Sequence, residues 1–187
     1  MDIRYKVDFH TYWHCGSGLA AGADVDALVI KDAQGLPFIP GKTMKGLIRE
    51  AVEDIRRFRG KDLDEGFKNT FGYFEQDKEE MMRGVTFFSN AELMSKEKEA
   101  IVANDVARFM YKGVSSTAIG ADGVAEEHSL RRTEVAVPCV MYAEILNVPD
   151  ELVSEIQDAL KYIKRLGQKR NRGLGRCTIT IEEGGKQ

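Results

Sequence analysis

Between Lys161 and Arg176 seven residues are basic and none is acidic: Lys161, Lys164, Arg165, Lys169, Arg170, Arg172 and Arg176. Cations are favoured at a helix C-terminus, which accounts for the first three. The others continue through Gly167, Gly173 and Gly175. There a backbone can approach a ligand closely and arginine can grip phosphate in a bidentate way. The chemistry this pattern suits is a phosphodiester ligand. A second anion site is expected where Pro40 and Gly41 open a helix whose first turn carries Lys42, Thr43 and Lys45. It is not a nucleotide-hydrolysing loop. Five residues separate Gly35 from Gly41 where that motif has four, and Pro37 and Pro40 in the interval offer no N–H to a phosphate. Gly173-Leu174-Gly175 is not a dinucleotide fingerprint either. It follows a helix and precedes a strand, and Thr178 stands where a third glycine is needed.

The remaining candidates are titratable. His10 and His14 would share one face of a strand beside Cys15, but no further ligand follows at metal-site spacing, so they read as core or surface histidines. His128 sits in a long polar segment and reads as exposed. Asp24, Asp26 and Asp32 lie in or beside a glycine-rich loop, and by composition alone they read as turn formers.

Positioning these groups requires a frame, and hydrophobic periodicity supplies one. Ile3, Tyr5, Val7, Phe9, Thr11 and Trp13 alternate with polar residues, which predicts a half-buried first strand. Residues 15–23 then read as a flexible loop, followed by a short apolar extension over Ala27–Ile30. Met44, Leu47, Ile48, Ala51, Val52 and Ile55 form the stripe of an amphipathic helix over Thr43 to Arg59. Gly84 to Leu93 reads as a second strand. Arg132 to Leu146 reads as a long third strand, with Pro138 marking an edge or bulge. Leu152, Val153, Ile156, Ala159, Leu160 and Ile163 mark a second helix over Pro149 to Leu166, and Arg176 to Glu182 is the last strand. The order βαββαβ predicts an α+β, ferredoxin-like domain with both helices on one sheet face and the other face open. Residues 61–82 read as a charged loop with fragments of helix. Residues 94–131 form a long insertion of the kind that is usually functional.

The chain has 187 residues, 43% hydrophobic and 30% charged, with a net charge of −3. That suits one globular domain over 1–187 and excludes a uniformly basic chromatin-type protein. Cys15, Cys139 and Cys177 are far apart and form no CxxC pair, so neither a disulfide framework nor a structural zinc is expected. The longest apolar run, Val135 to Ala143, is too short to span a bilayer. The expectation is a cytoplasmic protein with no membrane partner.

LPFIPGKTMKGLIR, from Leu36 to Arg49, resembles the hallmark segment of the RAMP superfamily of CRISPR-associated proteins. Thr70-Phe71-Gly72 followed by GVTFFSNAEL, then TAIGADGVAEEHSLRRTE from Thr117 to Glu134, and KRNRGLGR from Lys169 to Arg176 resemble further blocks of that family in the same order. The pattern is most similar to the repeated backbone subunit of type III effector complexes. The resemblance implies an RRM-like fold that assembles with copies of itself and other CRISPR effector subunits along a guide RNA. It implies a hairpin thumb within Lys112 to Arg131. It implies guide contacts from Lys42, Thr43, Lys45, Arg49, Lys169, Arg170, Arg172, Gly173, Gly175 and Arg176, of which the seven basic residues are expected to converge. It also implies an endoribonuclease that cuts complementary target RNA with a divalent metal, Mg²⁺, held by a catalytic aspartate. The family pattern puts that residue at Asp26, six before Asp32, with Asp24 as the alternative. Ala27-Leu28 stand where the family has a small polar residue and then proline. Two other readings follow from the resemblance: a structural backbone subunit without cleavage, and a guide-precursor processing nuclease. Members of the latter kind commonly carry two such units and a histidine base.

Overall fold

The computed structural model describes residues 1–19, 26–75 and 79–182. The first strand, β1 (Ile3–Phe9), buries every second residue, as its alternation requires. Helix α1 (Gly41–Phe58) follows, burying Met44, Ile48, Ala51, Val52 and Ile55. Its entry is tight. A Cβ at Gly41 would lie 2.1 Å from the Phe88 carbonyl oxygen, and the Gly41 N–H donates to Asn90 Oδ1. Then come α2 (Glu65–Phe71), a hairpin of β2 (Gly72–Glu75) and β3 (Glu80–Arg83), the two-residue β4 (Phe87–Phe88) and α3 (Ser95–Ala103). The chain continues through β5 (Tyr111–Ser116), β6 (Arg131–Ala136), β7 (Val140–Leu146), α4 (Asp150–Tyr162) and β8 (Cys177–Glu182).

The main sheet has the order β4-β7-β1-β8, with every neighbouring pair antiparallel. Ile3, Tyr5, Val7 and Phe9 from β1, Met141, Ala143 and Ile145 from β7, and Cys177 and Ile179 from β8 share one core with the apolar stripes of α1 and α4. Arg4, Thr178, Thr180 and Glu182 stand exposed on the other sheet face. One buried ion pair crosses the helical layer. Arg56 Nε meets Glu155 Oε2 at 2.6 Å, and Arg56 Nη1 meets Asp64, the N-cap of α2, at 2.9 Å.

Several elements depart from the sequence-based expectation. The first strand leaves the sheet at Phe9 rather than Trp13, because residues 10–14 bond instead to the segments before β7 and β8. Trp13 N–H donates to Ala136 O, and His10 N–H to Arg176 O. The long third strand is two strands. Pro138 falls between them; among the strands β6 ladders with β5 in a separate hairpin, and β7 pairs with β1 and β4. Of the second strand only Phe87–Phe88 join the ladder, with Ala91 and Glu92 as isolated bridges. The charged stretch 61–82 is not mainly loop. Phe67, Thr70 and Phe71 bury one face of α2 and lead into the β2–β3 hairpin. The helices span Gly41–Phe58 and Asp150–Tyr162, within a few residues of the expected limits at their N-termini. The insertion that begins near residue 94 does not close at 131, since its hairpin runs on to Ala136.

Candidate functional site

The basic run after α4 folds back against the segment that leaves β1. Gly175 N–H donates to Tyr12 O, Gln168 N–H to His14 O, and Leu166 N–H to Gly175 O. A Cβ at Gly175 would sit 1.9 Å from Leu166 O, and one at Gly167 would sit 2.4 Å from His14 O. These glycines therefore serve close packing against the protein's own backbone. Gly175 is buried, whereas Gly173 (φ +86°) is exposed, and a Cβ added there would meet open space. A 3-10 turn over Arg170–Arg172 turns Arg170 and Arg172 to solvent, Arg176 is also exposed, and Arg165 Nη1 closes the loop on Arg170 O.

Strand β6 connects this loop to Asp26. Asp26 and Arg132 exchange bonds: Asp26 N–H donates to Arg132 O at 2.9 Å, and Arg132 N–H donates to Asp26 Oδ2 at 2.7 Å. Ala27 bridges Thr133, and Glu134 N–H donates to Ala27 O. The Glu134 carboxylate accepts Val29 N–H on one oxygen and Lys31 Nζ on the other. The segment from Asp26 to Lys31 is thus zipped onto β6, with Asp26 exposed at its start. Asp32 is a turn former whose Oδ1 accepts Gln34 and Leu36 N–H. Asp24 lies outside the described residues.

Many of the cations outside this region are paired with carboxylates, although among the described residues Lys42, Lys45 and Lys96 are not. Arg49, Arg56, Arg57, Arg59, Lys61, Lys68 and Lys98 each have a carboxylate partner. Among the described residues none of the basic side chains from Lys161 to Arg176 has one. Three further cations join them along the β5–β6 ladder. Arg131 and Arg172 line one cavity with Ser116, Thr117, Glu126 and Glu127. The Arg132 guanidinium lies against Gly113. Lys112 Nζ sits over the Tyr12 ring at 5.4 Å.

The cations of α1 do not converge with this group. Thr43 turns inward and reaches the buried Cys15 thiol. Lys42 instead lines an open groove with Ser89, Asn90 and Lys96, and Arg49 is bound to Glu53 and lies over Phe67. Lys45, three residues from Lys42 and four from Arg49, shares their side of the helix. The flank of α1 nearest Arg170 carries Leu47, Glu50 and Asp54.

The other nucleophile and ligand candidates are structural. His14 is fully buried, its Nδ1 2.6 Å from Glu134 O, and His10 Nε2 lies 2.8 Å from Thr178 Oγ1. Burial pushes the Cys139 and Cys177 thiols up to about 11, and that of Cys15 upward as well, so none is a thiolate near neutrality. No group of three His, Cys, Asp or Glu side chains able to hold a metal occurs among the described residues. A protein-caged ion does not fit. A lone exposed carboxylate fits Mg²⁺ that keeps its waters and shares phosphate oxygens of a bound ligand.

Residues 6–178 match the sequence profile of the RAMP superfamily. The chain belongs to that superfamily. No curated protein sequence matches it. Among solved structures, a chain from the cryo-EM structure of the type III-B Cmr-beta complex bound to cognate target RNA has the same fold as this RAMP protein. The TM-score is 0.71 at 13% identity, covering 97% of both chains. A chain of the apo Cmr-beta complex matches with a TM-score of 0.69, at the same identity and coverage. No helix among the described residues of this RAMP protein is long and apolar enough to cross a membrane.

Sequence reasoning missed Lys112, Arg131, Arg132 and Glu134 as parts of the site. The Arg131-Arg132 pair at the start of a strand was a visible signal. Nothing local marked Lys112, which arrives only because β5 returns along β6.

Proposed function

We propose that this chain is an RNA-binding backbone subunit of a type III CRISPR effector complex. In this reading it holds guide RNA along the β5–β6 ladder and cuts complementary target RNA at Asp26. The observation that carries the reading is the set of cations without carboxylate partners there: Arg131, Arg132, Arg170, Arg172 and Arg176 beside one exposed aspartate. Surface cations that form no ion pair among the described residues, even with Glu126 and Glu127 lining the same cavity, suit a polyanion on a protein of net charge −3. The sheet order β4-β7-β1-β8, with α1 and α4 in one core, supports the ferredoxin-like βαββαβ arrangement. Hairpin β5–β6 takes the part of the thumb, with exposed Ile119, Val124 and Leu130 toward its tip. Copies of the chain and other effector subunits are the partners this reading entails.

RNA supplies its own nucleophile, the 2′-hydroxyl. The protein has to align that group, assist its deprotonation and stabilise charge at phosphorus. The Asp26 carboxylate, fixed through one oxygen by Arg132 N–H, presents its other oxygen for a proton. Asp26 is also the residue that would hold Mg²⁺, which when bound neutralises phosphate charge. A single carboxylate makes a slow site.

The test is salt-dependent binding of single-stranded guide RNA to wild type and to R170A/R172A/R176A. Each lost phosphate contact should reduce the slope of log affinity against log salt by about 0.7, so the triple variant should flatten it by about two. An unchanged slope would remove the loop from the RNA. A complex that binds target but never cuts it would leave the structural-subunit reading in place of the nuclease.

A further inference from the structure

Lys169 differs from its neighbours in the cationic loop. Arg170, Arg172 and Arg176 are exposed, but Lys169 is half-buried. Its backbone is left-handed (φ +54°), which a residue with a side chain adopts only when its surroundings hold it there. Its Nζ donates to Thr133 Oγ1 at 2.5 Å. Thr133 is 3% exposed, and Ala27 bridges to it. On either side of Thr133, Arg132 exchanges hydrogen bonds with Asp26, and Glu134 holds Ala27, Val29 and Lys31. Direct contacts therefore run without a gap from the loop, through Lys169 and Thr133, to Asp26.

We propose that Lys169 is a positioning residue and not a phosphate contact. Its bond to Thr133 sets where the cationic loop stands relative to Asp26. An RNA backbone held by Arg170 and Arg172 then meets the carboxylate in one register. This rests on the RNA-binding reading above. Misplacement of a reacting group by about 1 Å costs on the order of 10² in rate, so the tie matters for cutting far more than for affinity.

K169M keeps the side-chain stem and removes the donor; T133V removes the acceptor. Three quantities are measured on these variants, on their combination and on K169R. They are the salt slope for guide RNA, the rate of target cutting at saturation in a reconstituted complex with Mg²⁺, and the melting temperature. The expected result is a K169M slope equal to wild type, against a loss of about 0.7 in R172A. K169M and T133V should each slow cutting roughly a hundredfold, with the double variant no worse than the poorer single in rate or in melting. K169R, which keeps a donor, should recover part of the rate. A K169M slope that flattens by about 0.7 makes Lys169 a phosphate contact and overturns the proposal. Additive melting losses overturn it too, because the two side chains would then not be coupled. If R170A and R172A leave the slope unchanged, the RNA-binding reading fails. The melting cycle still decides the tie: non-additivity upholds it and additivity removes it. The slope and the cycle decide it likewise if wild type does not cut.

Discussion

Removing either partner of the Arg56–Glu155 pair should be among the most damaging single changes in the protein. Arg56 is 3% exposed and Glu155 7%. Burial alone would lower the arginine's affinity for its proton, but hydrogen bonds and charge from Asp64 and Glu155 outweigh it and hold the guanidinium firmly charged. Arg56 Nη1 also donates to Asp62 O at 3.0 Å, and Lys61 Nζ reaches the second Glu155 oxygen at 3.3 Å. Breaking a buried pair costs about 3–5 kcal/mol, because the remaining charge stays buried without its partner. Glu155→Gln leaves Arg56 with Asp64, so about 3 kcal/mol is expected. Arg56→Met leaves Glu155 with only a half-exposed lysine, so the cost should approach about 5 kcal/mol. For a chain of this size these losses lower the melting temperature by roughly 6–20 °C. Urea unfolding and calorimetry on both singles and on R56M/E155L provide the assay. The double variant should be more stable than Arg56→Met alone, since neither charge is then stranded. A double variant whose loss equals the sum of the singles would refute this reasoning.

Asp26→Ala should cost about 0.5–1.5 kcal/mol through the exposed Arg132 N–H it leaves unpaired, while lowering target cutting by about 10²–10⁴; comparable losses in binding and cutting would make Asp26 structural only. Gly175→Ala places a methyl 1.9 Å from Leu166 O at φ +70° and should loosen the whole loop. Gly173→Ala meets open space and should cost only about 1 kcal/mol for its positive φ, and hydrogen exchange at Leu166 and Gly175 would distinguish them. Arg56 holds the Asp64 carboxyl below its usual range, so its contribution is complete above the ordinary carboxylate pKa and fades as pH falls below it. Acid titration of wild type should lose more stability there than Asp64→Asn does. In the native protein Cys15, Cys139 and Cys177 should react slowly with a thiol reagent at pH 8 and quickly after unfolding; fast native labelling of Cys177 would contradict its burial.

What is local and periodic can be read from the residues alone. The stripes of α1 and α4 and the alternation of β1 are legible because one repeat of each pattern fits within a few residues, and burial follows the same repeat. The absence of acids from Lys161 to Arg176 is equally legible, and the folded chain brings them no acidic partner among the described residues. Tertiary pairing decided the rest. Pro138 could mark an edge, a bulge or a break, and only the separate pairing of β6 with β5 and of β7 with β1 made it a break. The glycines of the basic run looked like room for a ligand, yet at Gly167 and Gly175 that room is filled by His14 and Leu166. Asp26 meets Arg132 across 106 positions, and Lys169 meets Thr133 across 36. No local pattern encodes such contacts, because they exist only once loops have closed and buried backbone groups have found their partners.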